Sequence, residues 1–225
     1  MVVFNHIPRT GGTFLIEKLR GTHFGSGPVI GFGERGPLVR RLLCNREYRP
    51  EMLIYHTSGK RFEREFRRRP NDFVFTLLRN RVDMVYSNFA YMSARITRGD
   101  KLPGWTAAQQ SALGTTIEEH VDRVLTMGGP DWEYPSDLDS YDFVGITEEM
   151  SLSLRALNEV FGTNILNDAP INSVSCEKMY RRGDLEEKFA EQMRLFERAR
   201  AQLRSRCRAG EHAKLWGGRH FGVRV

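Results

Sequence analysis

Cysteine is scarce in this chain: Cys44, Cys176 and Cys207 are odd in number and far apart. That excludes a dense disulfide frame, and the spacing matches no zinc or other metal site. Free thiols in a reducing compartment are expected. Long apolar runs are missing as well. No stretch approaches the roughly 20 apolar residues that a membrane-spanning helix needs. The opening residues, MVVFNHIPRTGG, lack the basic head, apolar middle and small-residue cleavage site of a secretory signal. A cytoplasmic protein without a membrane span is the expectation. Neither sign of charge dominates, since 34 Lys and Arg face 28 Asp and Glu for a net charge of +6. Such a balance suits a polyanionic ligand, and a solvated basic surface satisfies it equally. Internal repeats, low-complexity tracts and a linker are all absent, so one domain over 1–225 is expected.

What is present is an alternation of apolar runs and helical patterns. VVFNHI (2–7) stops at Pro8 and reads as a buried strand; Gly11 and Gly12 follow, then a helix with Phe14, Leu15 and Leu19 on one face, stopped by Gly21. Residues 21–50 are rich in Gly, Pro and Arg and read as loop, with room for a short helix near 37–44. MLIYHT (52–57) reads as a strand, 59–69 as a helix, DFVFTLLR (72–79) as a strand and 81–95 as a helix. After an irregular stretch at 97–114 come a helix at 115–127, a loop at 128–140, a strand at 141–148, a helix at 151–162 closed by Gly162, and a long helix at 184–206. Strands alternating with helices predict an α/β fold, a central parallel sheet flanked by helices in three layers.

PRTGGT (8–13) joins the first strand to the first helix. Adjacent glycines let main-chain N–H groups converge, and the helix adds its positive end, which makes a cradle for phosphate or sulfate. Arg9 adds a fixed charge, and Thr10 and Thr13 add hydroxyls. A plain glycine turn with Thr13 as helix cap fits the same residues. The pattern is P-loop-like without being a Walker A motif, because no Lys-Ser/Thr pair follows the glycines to serve β/γ-phosphates and Mg²⁺. No metal is expected. Arg79 ends the strand FVFTLL, where ligands of open parallel sheets bind, and its planar fork suits phosphate. A rim salt bridge is the other reading of Arg79.

HIPRTGGTFL (6–15) resembles the 5′-phosphosulfate loop, usually HIPKTGGTS, of the carbohydrate sulfotransferase family that includes the heparan and uronyl 2-O-sulfotransferases and bacterial relatives. FTLLRNRVDMVYSNFAYM (75–92) is similar to that family's 3′-phosphate segment, and YDFVGITEEMSLSLRALNEVFG (141–162) to its next strand-helix signature. The resemblance implies a transferase that moves the sulfuryl group of 3′-phosphoadenosine 5′-phosphosulfate (PAPS) to a hydroxyl and leaves 3′-phosphoadenosine 5′-phosphate (PAP). It implies that Arg9, Thr10, Gly11, Gly12 and Thr13 hold the phosphosulfate and that Arg79 and Ser87 hold the 3′-phosphate. NSVSCEKM (172–179) resembles the stretch that closes over the adenosine phosphate, which brings in Ser175 and Lys178. His56, at the end of the second predicted strand, matches the histidine that deprotonates the acceptor. His6 reads as structural, and His23, His120, His212 and His220 have no motif around them.

This chain departs from the family at two places. Arg9 replaces the loop lysine, so it can stabilise charge on the bridging oxygen without giving up a proton. RNRVDM stands where RDPVDR is usual, so Arg81 is either a further phosphate contact or a solvated arginine at a helix start. The acceptor, a glycan or small-molecule hydroxyl by analogy, would meet the segments 21–50 and 97–140, where Trp105, Trp132 and Tyr134 are candidate stacking platforms. Two other classes fit parts of the sequence: a metal-dependent kinase or NTPase, and a nucleic-acid-binding module suggested by Arg67, Arg68 and Arg69. The arginine triplet lacks the interleaved aromatics that stack on bases, so nucleic acid is not the expected partner.

Overall fold

Runs of β-branched and aromatic residues without breakers pair into one parallel sheet, the arrangement in which strands are buried on both faces. The computed structural model describes residues 1–22, 24, 29–30, 51–99, 116–127, 133–166 and 180–208. Its strands are β1 (Val2–His6), β2 (Val29–Ile30), β3 (Met52–His56), β4 (Phe73–Leu78) and β5 (Phe143–Ile146), in the order β2-β3-β1-β4-β5. Every pairing is parallel, with Val3 beside Leu53 and Val74, and His6 beside His56. The helices are α1 (Gly12–Arg20), α2 (Gly59–Glu65), α3 (Arg81–Thr97), α4 (Ile117–Met127), α5 (Met150–Phe161), α6 (Arg182–Lys188) and α7 (Ala190–Arg208), and a 3-10 turn at Thr147–Glu149 leads into α5.

The chain forms two units, the first from residues 1–79, 132–170 and 195–225, the second from 80–131 and 171–194. The first unit holds the sheet. On one face Val3, Leu53, Tyr55, Val74 and Tyr141 pack around Phe62 of α2. On the other, Phe4 stacks on Phe75 at 4.6 Å and Phe161 of α5 meets Phe75 edge-on at 5.7 Å. Aromatic pairs of this kind add about 0.5–1.5 kcal/mol each beyond their buried area. Helices thus cover both faces of the sheet, as the alternation predicts. In the second unit, Val82, Val85 and Tyr86 of α3, Val121 and Val124 of α4, and Leu185 and Phe189 form the core.

Three elements differ from their sequence pattern. Strand β2 lies inside the segment 21–50 read as loop; it pairs through its main chain, Val29 beside Ile54, over two residues only. Helix α2 stops at Glu65 rather than continuing to 69, because Phe66 turns extended and Pro70 disfavours helical geometry at Arg69. The long C-terminal helix is broken at Phe189 (φ −103°, ψ 18°) into α6 and α7. There the Phe189 ring is drawn into the core of the second unit, with the Arg81 guanidinium 4.8 Å from its centroid. Among the described residues no helix is long and apolar enough to cross a membrane.

Candidate functional site

The strand order places a switch point between β1 and β4. From β1 the chain leaves toward β2 at one edge, whereas from β4 it moves toward β5 at the other, and ligands of open α/β sheets bind at the carboxyl ends where this reversal occurs. The predicted glycine turn leaves β1 at that point, and Arg79 follows β4 at the same edge. The two meet: Arg79 Nη1 donates to the main-chain carbonyl of Arg9 at 3.3 Å.

The turn itself is strained. Arg9 (φ 68°) and Gly11 (φ 81°) both occupy the left-handed region. For Gly11 this is free, but for an arginine it costs roughly 1–2 kcal/mol. Gly11 caps α1 without any side-chain hydrogen bond, and no acidic residue stands in the first turn of α1. By contrast Ser58 caps α2, and the Asn80 side chain accepts from Val82 and Asp83 at the start of α3. No side chain among the described residues caps the N–H groups at the start of α1, and the helix dipole favours an anion there.

Neighbouring elements hold the turn in shape. Thr10 is fully buried and its hydroxyl donates to the Ile7 carbonyl at 2.7 Å, so the expectation that this hydroxyl faces a ligand is corrected. Thr147 in turn donates from Oγ1 to the Thr10 carbonyl at 2.6 Å, and Met150 closes over Gly11, where a methyl group would lie 3.0 Å from Met150 Cε. Thr147 and Met150 carry no signal in the sequence beyond their place after β5. Thr13 lies inside α1 and is exposed, two residues past the cap position that Gly11 holds. Glu149, at the end of the 3-10 turn, is gripped by Arg200 at 2.6 Å and Arg204 at 2.5 Å from α7. Burial works against its charge, but these two arginine bonds outweigh that and its pKa is lowered.

His56 stands at the end of β3, half-buried, and burial lowers its pKa below the ordinary 6.5. Its ring is stacked on that of His6 with centroids 4.5 Å apart and planes 14° from parallel. His6 is buried, and its pKa is lowered to about 3 by burial first, then by the proximity of His56 and Arg9. Both imidazoles are neutral at neutral pH. A neutral imidazole at a strand end is what a general base requires.

Ser87, the predicted partner of Arg79, is a buried residue of α3 in the second unit. Ser175, Lys178, Trp105 and Trp132 lie outside the described residues. Tyr134 is 1% exposed in the core of the first unit, which removes it as a stacking platform. Arg81 is 3% exposed, so it is not the solvated arginine considered above. Arg68 of the basic triplet is bound at the other edge of the sheet, donating from Nη2 to Asp142 Oδ2 at 2.6 Å and to the Asp72 carbonyl at 3.3 Å. It ties the starts of β4 and β5 together.

No family model and no curated protein matches the sequence. Among solved structures, the chain is similar to mouse sulfotransferase SULT7A1 complexed with PAP, with a TM-score of 0.43 and 14% identity over 74% of this chain and 60% of that one. It thus spans about three fifths of the length of the mouse protein. It is also similar to a sulfotransferase from Alicyclobacillus acidocaldarius, with a TM-score of 0.37 and 16% identity over 92% of this chain and 98% of that one. At these values the functional reading rests on this chain's own residues.

Proposed function

We propose that the protein is a PAPS-dependent sulfotransferase acting on an acceptor hydroxyl, with a carbohydrate as the acceptor class. One observation carries this reading: a helix start whose cap, Gly11, makes no side-chain hydrogen bond and two arginines, Arg9 and Arg79, meet at the sheet's switch point, with the neutral imidazole of His56 on the neighbouring strand end. The donor is a nucleotide with two separated anionic groups, and it supplies a sulfuryl group on a good leaving oxygen. The turn 9–13 would hold the phosphosulfate. Arg79, Ser87, Ser175 and Lys178 are proposed for the 3′-phosphate. Position 12 admits only glycine, because a methyl group there would sit 2.0 Å from His6 Cδ2.

In-line transfer makes the bond from acceptor oxygen to sulfur as the bond from sulfur to bridging oxygen breaks. His56 takes the acceptor proton. Arg9 stabilises the charge left on the bridging oxygen, a role its guanidinium fills without proton transfer. The reading includes one catalytic domain over 1–225 and a cytoplasmic setting. A thermal-shift titration in EDTA tests it directly. PAP is expected to raise the melting temperature without Mg²⁺, and ATP to raise it little. A response to ATP that requires Mg²⁺, with none to PAP, turns the assignment toward a kinase or NTPase.

A further inference from the structure

His6 touches two parts of the proposed site from below, although no motif gives it a part in the chemistry. On one side its ring lies against His56, its register partner on β3. On another it lies against the glycine turn, where a methyl group at position 12 would meet Cδ2 at 2.0 Å and Nε2 at 2.4 Å. Beneath it Phe4 stacks at 5.6 Å, and Phe4 rests on Phe75 at 4.6 Å. The rings Phe75, Phe4, His6 and His56 therefore form a continuous column from the core to the site. Close-packed interiors transmit displacement, because they hold few voids to absorb it.

We propose that His6 is a positioning residue whose one ring sets both the orientation of the His56 imidazole and the opening of the turn at Gly12. This rests on the reading of His56 as base and of the turn as anion cradle. The charged or titratable groups acting on His6 are His56 from β3 and Arg9 from the turn. Both disfavour its protonation, so His6 stays neutral and does not compete with His56 for the acceptor proton. Its contribution is shape. A change at residue 12 must then reach His56 through ring 6, and loss of ring 6 must loosen base and cradle together.

The decisive readout needs neither nucleotide nor acceptor. It is the imidazole resonance of His56 by NMR in wild type, Gly12→Ala and His6→Phe, with melting temperatures alongside. Donor KM and kcat in His6→Ala and His6→Phe are the second readout. The Gly12→Ala change is expected to move the His56 resonance. His6→Ala is expected to raise donor KM and to lower kcat by about 10²-fold, the usual result of a misplacement of about 1 Å. His6→Phe, which keeps a ring in the column, is expected to restore both within severalfold. A folded Gly12→Ala protein with an unmoved His56 resonance overturns the proposal. So does a folded His6→Phe protein as impaired as His6→Ala. If His6→Ala does not fold, the other two variants still decide. A shifted His56 resonance in a protein that binds no PAP would uphold the coupling and refute the donor assignment instead.

Discussion

Arg79 donates to the main-chain carbonyl of Arg9 across the switch point between β4 and β1. One arginine thereby helps hold the other in a left-handed conformation that arginine does not favour. Turn and strand end are consequently one piece of structure, and Arg79 has two consequences for an anion, its own charge and the shape of the cradle.

Arg79→Ala is accordingly expected to weaken PAP binding by about 1.5–3 kcal/mol, the range for a charged hydrogen-bonding partner. Ser87→Ala is expected to cost about 1 kcal/mol. Isothermal calorimetry checks both. Unchanged affinity in the two variants would remove the proposed 3′-phosphate site.

Arg9 separates stability from rate. Replacing it with glycine relieves the left-handed strain, so Arg9→Gly is expected to melt no lower than wild type, since the roughly 1 kcal/mol relieved offsets the greater freedom of unfolded glycine. The transfer rate should nevertheless fall by roughly 10²–10³, the usual effect of losing one preorganised donor. Arg9→Lys should keep substantial activity. Scanning calorimetry beside a transfer assay distinguishes these outcomes; equal inactivity of the Lys and Gly variants would dissociate Arg9 from the leaving oxygen.

For His56, the expected result is loss of chemistry without loss of nucleotide. His56→Ala should bind PAP as wild type does and transfer about 10²–10⁴-fold more slowly. Because burial lowers the pKa of His56, kcat/KM should rise with pH through a midpoint below 6.5, as the neutral form accumulates. A wild-type midpoint well above 6.5, or normal turnover in His56→Ala, assigns the base to another group.

His6 makes the fold sensitive to acid. Its folded pKa of about 3 lies below the ordinary 6.5, so between those values the unfolded chain binds the extra proton. The stability this neutral histidine contributes is therefore complete above pH 6.5 and is lost as pH falls toward 3. Each pH unit well inside that window should remove about 1.4 kcal/mol. Urea unfolding at several pH values measures the slope, and His6→Phe should flatten it. An equal slope in that variant would trace the acid sensitivity elsewhere, with buried His120, lowered to about 4, as the next group to test.

Apart from β2 and the break in the last helix, the sequence by itself determined the order of strands and helices along the chain, the glycine turn after β1, and the strand-end positions of His56 and Arg79. Those features rest on periodicity and turn chemistry, which act between residues a few places apart. Tertiary structure decided the rest. The order β2-β3-β1-β4-β5, and with it the switch point, depends on pairings between segments far apart in the chain. Strand β2 has too few residues to show a pattern and exists through its main-chain pairing with β3. Long-range packing also buried Tyr134 and Arg81 and broke the last helix at Phe189. It turned the Thr10 hydroxyl inward and brought Thr147 to the turn. The stack of His6 on His56 joins positions 50 residues apart through their register in a parallel sheet. Strand register is a property of the folded sheet, so no local pattern in the chain announces which two rings will meet.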